Sequence, residues 1–174
     1  MKSFIKSIEV RVDVTFVQVI VVDASEHQIT FHDQKSGKIL RRVGGRTERG
    51  AYILTDPQHV CSSEAGLTMV TDWAAPNLRV FNSALQPVRD FVTYGSGEGR
   101  MLKPSGATCD AHGYFFVVDS HNHRVHVMGP DGRFVRMLLT EHDGLNQPLA
   151  VAAFTTGKLA VTEARGHVKI FKYM

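Results

Sequence analysis

One sheet-forming motif occurs four times in this 174-residue chain, and its period limits the fold more than any other feature. The copies VIVVDASEHQITFHD, TMVTDWAAPNLRVFN, FFVVDSHNHRVHVMG and LAVTEARGHVKIFKY align on Asp23, Asp72, Asp119 and Glu163. These anchors stand 49, 47 and 44 residues apart, the spacing of a propeller blade. The register extends both ways. Pro57, Pro104 and Pro148 lie 15 residues before their anchors, and Gly66, Gly113 and Gly157 lie 6 before. Apolar residues follow at 6 (Ile29, Leu78, Val125) and at 8 (Phe31, Val80, Val127). The last copy is one residue shorter here, giving Val168 and Ile170. The first copy departs most, with Ile8 in place of the proline and Val17 in place of the glycine.

Each copy reads as strands joined by turns. In the third, Pro104 opens an inner strand and Ala111-His112-Gly113 turns the chain, with glycine supplying a positive φ at little cost. Tyr114 to Val118 is rich in β-formers, and Arg124 to Met128 alternates, with Val125 and Val127 on one face. That alternation sends His126 outward. Pro130-Asp131-Gly132 is a turn before a fourth strand. No segment holds a helical period. A β-sandwich does not require proline, glycine and acid at fixed offsets, whereas four-stranded units repeating around an axis make a β-propeller. The expected fold is therefore all-β: one propeller domain over 1–174, with blades near 8–43, 57–92, 104–139 and 148–174 and a closing strand in 1–7.

Composition narrows the function. The chain is 43% hydrophobic and 21% charged with a net charge of +3, which suits a folded domain and permits nucleic acid without demanding it. No apolar run is long enough to span a membrane, and MKSFIKSIEV lacks the core of a signal peptide. Cys61 and Cys109 fit no zinc spacing and read as reduced thiols, so a cytoplasmic location is expected. Gly95-Ser-Gly-Glu-Gly99 leads to a strand, not to a phosphate-binding helix, and no nucleophile elbow is present. The nine histidines read as exposed loop residues, with no metal site expected.

The third copy, LKPSGATCDAHGYFFVVDSHNHRVHVMGPDGRFVRML, resembles an NHL repeat through Pro104, Gly113, Asp119, Asn122-His123-Arg124 and Val125 to Val127. The second and fourth copies resemble it through Pro57, Gly66, Asp72 and Asn77 to Phe81, and through Pro148, Gly157, Val161 and His167 to Phe171. The ending HVKIFKYM is similar to that of tripartite-motif NHL proteins. The resemblance implies a target-selecting propeller for proteins or RNA, in a system whose ubiquitin-ligase module lies outside this chain. NHL propellers close with about six blades, so four imply an incomplete ring. The last copy stops after its third strand, and Ser3 to Val10 would supply the outer one. An open arc would expose sheet edges and invite oligomerisation.

In a propeller, loops carry recognition on a rigid scaffold. One face is expected to gather Arg46, Arg49, Arg100 and Lys103 from inter-blade loops. Trp73, His121, Asn122, His123, Arg124, Arg165 and His167 join them from blade loops. Such a basic and aromatic patch suits acidic peptides or stacked bases. The anchors Asp23, Asp72, Asp119 and Glu163 recur too regularly for catalysis and read as acceptors for loop amides. The leading expectation is a non-catalytic platform for protein partners without cofactor. RNA binding is the alternative, and a metal-dependent lyase or lactonase the second alternative.

Overall fold

Sequences such as VQVIVVD and FFVVD cannot satisfy their backbone and hide their β-branched and aromatic side chains except as strands between neighbours. The computed structural model describes residues 5–12, 17–74, 77–91 and 94–174 and arranges them in four antiparallel sheets. Blade one holds β1 (Ile5–Val12), β2 (Val17–Asp23), β3 (Gln28–Asp33) and β4 (Ile39–Gly44). Blade two holds β5 (Pro57–Ser62), β6 (Thr68–Asp72), β7 (Asn77–Phe81) and β8 (Pro87–Phe91). Blade three holds β9 (Pro104–Cys109), β10 (Phe115–Asp119), β11 (Arg124–Met128) and β12 (Phe134–Leu139). Blade four holds β13 (Pro148–Phe154), β14 (Lys158–Glu163) and β15 (Val168–Lys172). Strands follow one another across each sheet in chain order. Helical structure among the described residues is confined to two single 3-10 turns, Ser120–Asn122 and Glu141–Asp143. No described helix is long and apolar enough to cross a membrane.

The sheets stack face against face. Residues on the face of one blade that looks toward the next, here its forward face, meet the rear face of that next blade. Ile20, Val22, Ile29 and Phe31 of blade one meet Val60, Val70 and Phe81 of blade two. Met69, Leu78 and Val80 of blade two meet Ala107, Phe115, Val117 and Met128 of blade three. Phe116, Val118, Val125 and Val127 of blade three meet Val151, Leu159 and Val161 of blade four. Inner strands line up in the order β1, β5, β9, β13. The backbones of β9 and β13 approach so closely at Gly106 that a Cβ there would lie 2.5 Å from Ala150 Cα. A polar tie crosses the same region: Thr71 Oγ1 donates to Ser105 O at 2.7 Å and accepts from His59 N at 3.1 Å.

Two expectations need correction. Residues 5–12 are the inner strand of blade one, paired with β2 from Ile5↔Asp23 to Val12↔Val17. They are therefore not an outer strand for blade four, and residues 1–4 of the expected closing strand lie outside the described residues. Second, His126 is wholly buried, its ring 5.4 Å from that of Phe134. The reason is geometric: an interior blade is covered on both faces, so alternation along β11 selects between blades two and four rather than between core and solvent. Among the described residues β1 and β13 do not pack together as successive inner strands do, so the four sheets form an arc.

The packing fixes a stability contrast. Phe116, 2% exposed between blades three and four, should lose about 3–5 kcal/mol on truncation to Ala. Val135, 50% exposed on outer strand β12, should change stability by less than about 0.5 kcal/mol. Urea unfolding of the two variants measures the difference.

Candidate interaction face

A chain entering an inner strand through proline carries exposed loop amides with no sheet partner, and a carboxylate is the natural acceptor for them. The anchor acids take this role. Asp72 accepts from Thr55 N at 2.6 Å and Asp56 N at 2.8 Å, the two residues before Pro57. Asp119 accepts from Leu102 N at 3.0 Å and Lys103 N at 3.2 Å, before Pro104. Glu163, with its longer reach, accepts from Asn146 N at 2.8 Å, two residues before Pro148. A reciprocal backbone bond closes each clamp: Trp73 N to Asp56 O, Ser120 N to Lys103 O and Ala164 N to Gln147 O, each 3.0 Å. Asp23, in the copy without the proline, accepts from Ser25 N, Ser25 Oγ and Glu26 N in its own loop.

Blade three carries the fullest clamp. Arg124 is 7% exposed; its Nε donates to Asp119 Oδ2 at 3.1 Å. Its Nη atoms reach the carbonyls of Ser96 (2.8 Å), Gly97 (3.0 Å) and Arg100 (2.6 Å). Asn122 Nδ2 donates to Asp119 Oδ2 at 2.6 Å and to Gly95 O at 3.0 Å. Burial pushes the Asp119 carboxyl up. His126, whose Nε2 lies 3.6 Å from Oδ2, the Asn122 amide and the backbone donors of Leu102 and Lys103 outweigh it, leaving the group below its ordinary 3.8. In blade four, Lys169, at 2.9 Å from Oε1, holds Glu163 below the usual carboxylate range.

These bonds redistribute the expected binding residues. Arg124 leaves the surface set, because its guanidinium staples the Gly-rich connector to the blade. Asn122 is half-buried in the same network, and half-buried His123 ends the 3-10 turn at φ 53° while its Nδ1 accepts from Gln147 N at 3.1 Å. Arg46 is exposed and lies over Tyr52, with Nη2 donating to its hydroxyl at 3.0 Å. Arg49, Arg100, His121 and Arg165 are exposed, and so is His167, 3.5 Å from Glu163. Among the described residues no three His, Cys, Asp or Glu side chains are grouped to hold a metal.

What the fold brings together is a smaller constellation. Lys103 Nζ sits 3.8 Å from the centre of the Trp73 ring, a cation–π contact at the mouth of the space between blades two and three. Beside it is a cleft of about 220 Å³ lined by Gln58, His59, Trp73, Ser105, Gly106 and Leu149. Ser105 is 6% exposed, and its Oγ and the buried His59 Nδ1 have no hydrogen-bond partner. Burial pushes the His59 imidazole down, favouring its neutral form. Leu149 supplies an exposed apolar wall. Gln58, His59, Ser105 and Leu149 escape a reading centred on loops. Their signal in the sequence is position: each lies one or two residues after a blade-opening proline, where inner strands begin at the axis.

Antiparallel sheets stacked face against face, three of four strands and one of three, define a β-propeller-type domain. The chain superposes on the structure of U3-55K with a TM-score of 0.70 at 14% identity, over 99% of itself and 53% of that chain. No family model matches. NHL-repeat-containing protein 4 of the mouse, Mus musculus, is 30% identical over 100 residues, covering 56% of this chain and 69% of the relative. The chain belongs to the NHL-repeat proteins. It is also 42% identical over 48 residues to E3 ubiquitin-protein ligase TRIM71 of the rat, Rattus norvegicus, a match spanning 28% of this chain and 6% of that protein.

Asp119→Ala should cost about 3–5 kcal/mol, since it leaves Arg124 buried without its counter-charge. The linkage sign is set by the depressed carboxyl: its contribution is full above the unfolded value of 3.8 and is lost as pH falls through the lower folded value. Asp119→Asn should therefore flatten the acid limb of a stability–pH curve measured by chemical denaturation from about pH 5 downward.

Proposed function

We propose that this chain is a non-catalytic binding platform for protein partners, serving as the target-recognition propeller of a tripartite-motif NHL-like ubiquitin ligase system. The observation that carries the reading is the Trp73–Lys103 pair beside the cleft floored by Ser105 and His59. A half-buried tryptophan, an apolar wall at Leu149 and buried polar atoms awaiting partners are what a side chain anchoring a protein interface needs. The cleft lies on inner strands tied across blades, so it is preorganised. The similarity to a rat ubiquitin ligase supports the setting.

An enzymatic reading, including a metal-dependent lyase, draws less support from the anchor acids. Asp72, Asp119 and Glu163 are buried, and each already accepts from backbone amides, Asp119 also from the Asn122 and Arg124 side chains and Glu163 from Lys169, which suits clamping rather than proton transfer. The RNA reading loses Arg124 to the interior and rests on exposed Arg46, Arg49, Arg100 and Arg165, distributed over separate loops. Phosphate contacts by these residues would make affinity fall steeply with salt.

The test is site-specific photo-crosslinking from position 149 in cell extract, with and without Trp73→Ala. Discrete protein adducts should form at moderate salt, and the tryptophan change should weaken them by roughly 30-fold or more, the scale of an interface hot spot. Adducts dominated by RNA and abolished by salt, or protein adducts indifferent to Trp73, would overturn the proposal.

A further inference from the structure

One tight turn recurs through this chain. Its first residue donates an N–H to the carbonyl four residues on, and its fourth residue donates back to the carbonyl of the first. Gly50, Gly66, Gly113, Gly132 and Gly166 hold that fourth position at φ between 79° and 87°. The turn joining β7 to β8 has the same two bonds, Asn82 N to Gln86 O at 3.0 Å and Leu85 N to Asn82 O at 2.8 Å. Here leucine stands in the fourth position, at φ 61°. A Cβ is strained in this conformation, and residues so strained cluster at binding sites.

Leu85 serves as a wall. Like Ile53, it packs against the core between blades one and two, and it lines a groove of about 520 Å³ at the outer rim of that interface. Val43, Tyr52 and Ile53 line the groove from blade one and its connector, and Phe81, Leu85 and Val88 from blade two. Val43 and Phe81 belong to the buried core, whereas Val88 on β8 is 53% exposed. The rim is basic. Lys35, Lys38, Arg41, Arg42, Arg46 and Arg49, all exposed, lie between Asp33 and Asp56 with Glu48 as the one acid among them. The rest of the chain holds 14 basic and 16 acidic residues, so the positive balance of the protein is concentrated here. With Glu64 counted against them, because its turn meets Ser83 at Gly66, the rim still holds a net +4. Two contacts fix cations to the groove. Arg41 Nη1 donates to Ser83 O in the Leu85 turn at 3.2 Å, and Arg46 Nη2 donates to the Tyr52 hydroxyl at 3.0 Å.

We propose that this groove docks an acidic peptide segment of a partner protein. One bulky apolar side chain seats among Tyr52, Leu85 and Val88, and flanking carboxylates meet Arg41, Arg46 and Arg49. Charge complementarity selects this occupant: an apolar hollow inside a cationic rim matches an apolar side chain between acids. A nucleic acid would satisfy the rim but brings no aliphatic side chain to the hollow, and a bilayer surface would leave it empty. The lining shares no residue with the Trp73 cleft, so this contact and the recognition proposed there fail independently.

Fluorescence anisotropy on the full chain tests this with a labelled peptide in which adjoining leucine and phenylalanine sit between two runs of glutamate. Binding should saturate, and exchanging the two apolar residues for serine should weaken it by about 10-fold or more. Leu85→Gly installs the residue that the other turns use. It should weaken binding by about 10-fold or more while the melting temperature stays nearly unchanged, because relieved strain offsets lost packing. Val88→Glu, at an exposed position, should weaken binding equally without unfolding the chain, and it carries the test alone if Leu85→Gly does not fold. Val135→Glu, at the equivalent position of blade three, and Trp73→Ala should leave binding intact. No saturable binding, indifference to the serine exchange, or indifference to either groove variant in folded protein would overturn the proposal. So would a uridine decamer or phosphatidylserine vesicles that bind more tightly than the peptide and displace it.

Discussion

A carboxylate at the end of the second strand holds three of the four repeated units together, and the rest of each of those blades is organised around it. In blades two, three and four this group fastens the connector that enters the same blade, so the inner strand starts at a fixed height and angle. With inner strands fixed, the sheets stack at a spacing their apolar faces can fill. The acid is buried, so removing its hydrogen bonds would expose both a charge and several amides to an apolar interior. Blade three strengthens the clamp with Arg124, whose guanidinium reaches three carbonyls of the connector at once, a geometry lysine could not copy.

Much of this was legible in the sequence because it recurs. The acid and the proline 15 residues before it are the two ends of one clamp, and the glycine 6 before the acid marks the turn into the second strand. Individual side chains were harder. Arg124 and His126 sit in an alternating strand whose sequence looks like one dry face and one wet face. In a stacked sheet both faces are dry, and only the neighbouring blade reveals it. Arg124 then looks like a surface cation although it is bonded on every side, and His126 looks exposed although it lies against Phe134.

The cleft beside Trp73 illustrates the same limit from the other direction. Trp73 and Lys103 are visible as an aromatic and a cation, but their contact joins loops 30 residues apart and depends on how two blades pack. Gln58, His59 and Ser105 look like ordinary polar strand residues. Their significance comes from lying at the axis end of inner strands, where neighbouring backbones converge and Gly106 leaves no room for a side chain. Function in such a fold is assembled from positions equivalent between blades but different in chemistry.

The arc also has a thermodynamic consequence. Because each blade touches only the blades before and after it, cooperativity passes along a line and is weakest at the two ends. Local opening should therefore start in the terminal sheets and move inward, leaving the middle pair as the slowest region to exchange its amide hydrogens. The Trp73 cleft straddles that middle pair. A ligand held there would rest on that pair and touch a third sheet through Leu149 on β13.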